Sequence, residues 1–181
     1  MSLTQQAHAI ICQHFDEVSS PKSLAVDATC GNGHDTLFLC QLGFKKVVGF
    51  DVQQDAIEAT QKRLGENNYS AQLILAGHET LSENINEPIN CITFNLGYLP
   101  GTDKSLTTAT DSTLACLNQA VELLAPNGLI SLLCYPGHTE GKHETESVRK
   151  WLAKLPEYWK VETYQSTRVN DRSPILFVLT Q

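Results

Sequence analysis

The chain is short of positive charge. Lys and Arg total 13 against 20 Asp and Glu in 181 residues, a formal net charge of −7. A protein built to coat long nucleic acid needs Lys and Arg to displace phosphate counterions, so that class is excluded. A compact RNA met by a local basic face is not. Long apolar runs are also missing, which argues against a membrane span. The N-terminus has no charged and apolar signal pattern, and a cytoplasmic location is the expectation. No repeat, low-complexity stretch or Pro/Gly/Ser-rich linker divides the sequence. Residues 1–181 are therefore expected to form one domain, with 1–20 as an N-terminal helix packed on it. The six cysteines, at 12, 30, 40, 91, 116 and 134, include no Cys-x-x-Cys pair and have no His at metal spacing. Reduced thiols are expected, not disulfides or zinc, and no metal at all. Cys30 is the one thiol placed near a ligand.

What remains is an ordinary globular composition, 41% hydrophobic and 18% charged, in which strand and helix patterns alternate. Leu3, Ala7, Ile10, Ile11 and Phe15 recur near helical spacing and predict a helix over 3–17. Strands are expected at 24–28, 46–50, 71–76, 89–95, 128–134, 159–166 and 174–180. Helices are expected at 34–43, 53–66, 108–124 and 143–154, with Gly43 and Gly65 as C-caps and Asn127-Gly128 as the turn into the fifth strand. This pattern predicts an α/β fold of Rossmann-like type: a seven-stranded, mostly parallel sheet with helices on both faces. The short link between the last two strands makes them a hairpin, so one strand must run antiparallel.

The segment Asp-Ala-Thr-Cys-Gly-Asn-Gly-His-Asp, residues 27–35, comes directly after the first strand. Asp51 closes the second strand about twenty positions beyond Gly31, where an acid accepts hydrogen bonds from ribose hydroxyls. A dinucleotide would press its pyrophosphate against this turn, and Asp27 and Asp35 would repel it. Thr36 also stands where the third glycine of the dinucleotide fingerprint belongs, so a nicotinamide oxidoreductase fits poorly. A phosphate-free donor bearing an ammonium and a sulfonium suits the same carboxylates. The expected cofactor is therefore S-adenosylmethionine, held by residues at the strand ends. After the first strand these are Asp27, Thr29, Gly31, Asn32, Gly33, His34, Asp35 and Thr36. After the second they are Asp51, Val52 and Gln53. After the third, His78 and Glu79 flank the adenine, and Asn95 closes the set.

The fourth strand runs into Asn-Leu-Gly-Tyr-Leu-Pro, residues 95–100, which is similar to the Asn/Asp-Pro-Pro-Tyr/Phe loop of amino-group methyltransferases. An amide carbonyl there accepts from an attacking amine and holds its lone pair in line, so positioning supplies most of the rate gain. Asn95, Tyr98 and His138 are the catalytic candidates: Asn95 to orient the amine, Tyr98 to stack a base, His138 to assist proton removal near neutral pH. Gly97, Tyr98, Pro100, Asp103, Lys104, Tyr135 and His138 form the expected acceptor side. The remaining histidines, His8, His14 and His143, read as surface or packing residues. Lys142, His143, Arg149, Lys150 and Lys154 lie along one late helix, with Lys104, Arg168 and Arg172 able to join them. They read either as an RNA-facing patch or as a solvated helix face.

The strings DATCGNGHDT, GFDVQQDAI, NLGYLPGTDKSLTT and YPGHTEGKHE, with the closing NDRSP, resemble the bacterial "putative rRNA methylase" family of small class I methyltransferases. The resemblance runs from Ala7-His8 to the last strand. It departs at Thr102, where the family usually has glycine, and at Ser173, where it usually has proline. It implies transfer from S-adenosylmethionine to the aminomethyl group of a tRNA wobble uridine, by direct displacement. It also implies a tRNA partner; the protein itself is expected to be a monomer or homodimer. Transfer to rRNA or to a small amine are the alternatives, as is a non-catalytic donor-binding subunit.

Overall fold

Ser2 cannot continue a helix as well as it can start one. Its hydroxyl accepts from Gln5 N while the Gln5 side chain accepts from Ser2 N, a capping box that opens α1, Leu3–Glu17. The computed structural model describes residues 1–18, 21–97, 110–165, 170 and 172–181. From α1 the chain alternates through β1 (Leu24–Asp27), α2 (His34–Gln41), β2 (Lys46–Asp51), α3 (Gln54–Glu66) and β3 (Gln72–Leu75). A 3-10 turn, His78–Thr80, and the short α4 (Leu81–Asn84) lead into β4 (Ile89–Leu96). Then come α5 (Thr110–Leu123), β5 (Leu124–Cys134), α6 (Thr139–Leu152), β6 (Lys160–Gln165) and β7 (Ile175–Thr180).

The strands form a single seven-stranded sheet in the order β3-β2-β1-β4-β5-β7-β6. Pairing is parallel from β3 through β5, and β7 runs antiparallel between β5 and β6. The expected hairpin and reversed strand are both present. Successive strand residues serve opposite layers, as the pleat requires. Val26, Val48, Phe50, Ile92 and Phe94 pack toward α4, α5 and α6, while Ala25, Val47, Cys91 and Leu129 pack toward α1, α2 and α3. Strand order reverses where β1 meets β4, and there the carboxyl ends of the two strands open a crevice. Asp27 is level with Thr93 in that pair, so the turn leaving β1 faces the last residues of β4.

Four local expectations differ from the structure. Gly65 lies inside α3; the left-handed residue after that helix is Asn68, with φ of 59°, and Tyr69 N reaches back to Leu64 O at 2.9 Å. Gly43 does close α2, with φ of 91°. The Asn127-Gly128 turn, with Asn127 at φ of 58°, falls within β5 and not ahead of it, where pairing skips from Ile89–Leu124 to Cys91–Leu129. The 3-10 turn and α4 at 78–84 have no counterpart among the expected elements, because four residues carry too little periodicity to read. Finally, α6 begins at Thr139 and not at 143, because the His138 ring supplies its N-cap.

Candidate active site

The turn after β1 is tied down from three sides. From β2, both oxygens of Asp51 accept backbone N–H groups: Oδ2 from Gly31 at 2.9 Å and Oδ1 from Gln53 at 3.0 Å. From α3, Thr60 Oγ1 donates to Gly31 O at 3.0 Å and Arg63 Nε donates to Asn32 O at 2.6 Å. From within, Gly33 N donates to Cys30 O at 2.7 Å. Gly33 adopts φ of 75°, and a Cβ there would stand 2.8 Å from Thr60 Cα. Both the left-handed backbone and the close approach require glycine. Gly33→Ala should therefore cost roughly 1–3 kcal/mol in strain, read as a lowered melting temperature together with lost ligand binding.

Asp27 is fully buried beneath this turn, accepting from Thr36 Oγ1 at 2.6 Å and Thr29 N at 3.2 Å. Burial first, and then the nearby Asp35, push its pKa up to about 7. Glu144, between α5 and α6, is likewise pushed up to about 7 by burial, with Thr113 Oγ1 donating to it at 2.7 Å. A carboxyl raised in the folded state keeps its proton after the unfolded chain has lost it. Unfolding free energy should thus fall as pH rises from about 4 to about 7 and level off above that. Urea titrations across this range check the sign, and Asp27→Asn with Glu144→Gln should flatten the slope.

The other donor-side candidates stand around the same crevice. His34 is exposed at the start of α2; partial desolvation and then the Arg63 guanidinium hold its ring below the usual histidine range. Val52, next to Asp51, is 65% exposed. His78 is buried edge-on to Phe94, with Nδ1 3.0 Å from Ala28 O and Nε2 lacking a hydrogen-bond partner. Burial lowers its pKa, so the ring is neutral, Nδ1–H donates, and Nε2 retains an unused lone pair. Glu79 is exposed, its carboxylate lying over Gly77. Cys30 is buried in the turn, which pushes its thiol far above the usual range and leaves it unreactive.

On the facing strand, Asn95 N donates to Thr29 Oγ1 at 2.8 Å, joining the ends of β1 and β4. Asn95 Nδ2 donates to Asp35 Oδ2 at 3.3 Å. Tyr135 stands at the carboxyl end of β5, and burial raises its pKa. A Cβ on Gly97, just past β4, would stand 3.5 Å from the Tyr135 ring. Tyr98, Pro100, Asp103 and Lys104 lie outside the described residues, as does Arg168. His138 Nδ1 accepts from Gly141 N at 3.1 Å as the cap of α6 and lies 3.4 Å from Glu140 Oε2. The ring is thus engaged in starting a helix. Lys142, His143, Arg149, Lys150 and Lys154 are all exposed on or just past α6, interspersed with exposed Glu140 and Glu146.

Three contributors are not legible as site residues in the sequence: Thr60, Arg63 and His8. Thr60 continues the Ala56–Leu64 buried stripe of α3, a polar residue at an apolar position. Arg63 carries no such signal. His8 is half-buried and stands next to the buried stripe of Ala7, Ile11 and Phe15 in α1, which is the available clue. Among the described residues no group of three or more His, Cys, Asp or Glu could hold a metal ion. Nor is any helix there long and apolar enough to cross a membrane.

A parallel sheet with this strand order, a reversed β7 and a glycine turn clasped by the acid of β2 defines the class I methyltransferase fold. The family model described as "Putative rRNA methylase" matches residues 47–180, and the chain belongs to that family. It is similar to a crystallised rRNA-methylase family protein of Clostridium thermocellum, at 34% identity and a TM-score of 0.91, covering 99% of this chain and 97% of that one. It is also similar to a Streptococcus mutans methyltransferase family protein crystallised with S-adenosylhomocysteine, at 35% identity and a TM-score of 0.83, covering 94% and 95%. An Arabidopsis thaliana chloroplastic tRNA (mnm5s2U34)-methyltransferase is 36% identical over 84% of this chain. The chain spans 60% of the length of that relative.

Proposed function

We propose that the protein is an S-adenosylmethionine-dependent methyltransferase that N-methylates the aminomethyl group of a modified wobble uridine in tRNA. The observation that carries this reading is Asn95, fixed at the carboxyl end of β4 directly across from the glycine turn. When bound, the donor supplies an electrophilic methyl group. The residues present suit it: Asp51 offers ribose acceptors, Val52 an apolar face, and Asp27 and Asp35 negative charge for an ammonium and a sulfonium. Binding such a cation favours ionised Asp27, so donor affinity should strengthen as pH rises toward about 7.

Asn95 accepts from the amine N–H and aims its lone pair, with Tyr98 stacking the base. His138 assists proton removal once its cap to Gly141 is exchanged for the substrate. Six unpaired thiols suit a reducing compartment such as the cytosol. A second reading, transfer to a small amine, is favoured by the net charge of −7 and by the mixed charges of α6. The deciding experiment presents methyl-labelled donor with tRNA lacking its final methyl, with rRNA and with small amines. Label is expected in the tRNA, falling steeply with added salt; label only in small amines or rRNA would overturn the substrate assignment.

A further inference from the structure

The N-terminal helix reaches the reacting end of the crevice through His8. His8 Nε2 lies 2.6 Å from Asp35 Oδ1, and the imidazole is stacked on Phe38 with ring centroids 3.8 Å apart and planes 3° from parallel. The other oxygen of the same carboxylate, Oδ2, accepts from Asn95 Nδ2 at 3.3 Å. Thr4, Ala7, His8, Asp35 and Asn95 line one small cavity between α1 and the ends of β4 and β5.

An ionised carboxylate can only accept hydrogen bonds. Whatever faces Asp35 must donate, so the NH₂ side of the Asn95 amide turns toward it and the carbonyl turns away. A carboxylate held by one partner alone would be free to rotate; gripped at Oδ1 by His8, it presents Oδ2 in one place. We infer that His8 is a positioning residue: acting through Asp35, it fixes the orientation of the Asn95 amide and so directs Oδ1 at the incoming amine. This rests on the reading that Asn95 orients an amine. It gives α1 a task in catalysis beyond covering the sheet.

Two substitutions separate the donor from the ring. His8→Gln keeps an N–H able to reach Asp35 but loses the stack on Phe38, whereas His8→Phe keeps an aromatic ring there and loses the donor. Positioning predicts that His8→Phe lowers kcat by roughly 10- to 100-fold, with KM for RNA and affinity for S-adenosylhomocysteine little changed, while His8→Gln restores most of kcat. Equal losses in both variants, or a more active His8→Phe than His8→Gln, would overturn it in favour of packing. A readout without substrate is the nitrogen-15 signal of the Asn95 side-chain amide. Its NH₂ protons should exchange slowly in the native protein and in His8→Gln, and rapidly in His8→Phe. Protection unchanged in His8→Phe overturns the inference even if the native protein methylates no acceptor, an outcome that would instead refute the function proposed above.

Discussion

Replacing Asn95 with alanine will abolish most methyl transfer while leaving the donor bound. The substitution removes the amide that orients the attacking nitrogen, and loss of one preorganised polar contact at the reacting centre costs roughly 100- to 1,000-fold in kcat. Donor affinity should survive because the bond joining β4 to the donor turn uses Asn95 N, a backbone atom, with Thr29 Oγ1 at 2.8 Å. Alanine keeps that bond. Single-turnover rates with labelled donor, beside calorimetric titration with S-adenosylhomocysteine, separate the two effects. A variant that loses donor binding as severely as turnover would place Asn95 in the donor site alone. A variant that keeps full activity would remove it from the reaction.

The second large effect is expected at Asp51, with the opposite signature. Its carboxylate accepts from Gly31 N and Gln53 N at once, so it shapes the turn before any ribose arrives. Hydrogen bonds to a charged group contribute about 1.5–3 kcal/mol each. Losing two of them, with the ribose contacts, should weaken donor binding by roughly 100-fold or more. Asp51→Ala should therefore raise the Kd for S-adenosylhomocysteine sharply, with kcat at saturating donor reduced far less. Asp51→Asn should fall between, because its amide presents one acceptor where two are needed. Unchanged donor affinity in Asp51→Ala would contradict the placement of the donor at this turn.

The part of this architecture that sequence reveals is the part written in short-range patterns. Short continuous apolar runs locate the strands, and the brief connection from β6 to β7 forces their antiparallel pairing. Asp27, Gly31, Gly33 and Asp51 are legible because a strand-turn-helix unit confines them to adjacent strand ends. Contacts made across the fold are not legible. His8 and Asp35 are separated by 27 positions and meet only when α1 packs over α2. Thr60 and Arg63 look like ordinary residues of an amphipathic helix until the glycine turn settles against them. His138 is readable as a polar group after β5, but not as the cap that starts α6 four residues earlier than the apolar pattern suggests.

Where the new methyl group lands tests the account most directly. Transfer-RNA carrying the aminomethyl uridine is incubated with S-adenosylmethionine and the protein, digested to nucleosides, and the modified uridine is analysed by fragmentation mass spectrometry. The account predicts the methyl on the exocyclic nitrogen of the aminomethyl group, because it assigns Asn95 to hold an N–H donor in front of the glycine turn. A methyl found on a ribose oxygen or a ring atom, or no methylated uridine while donor binding is intact, would contradict it.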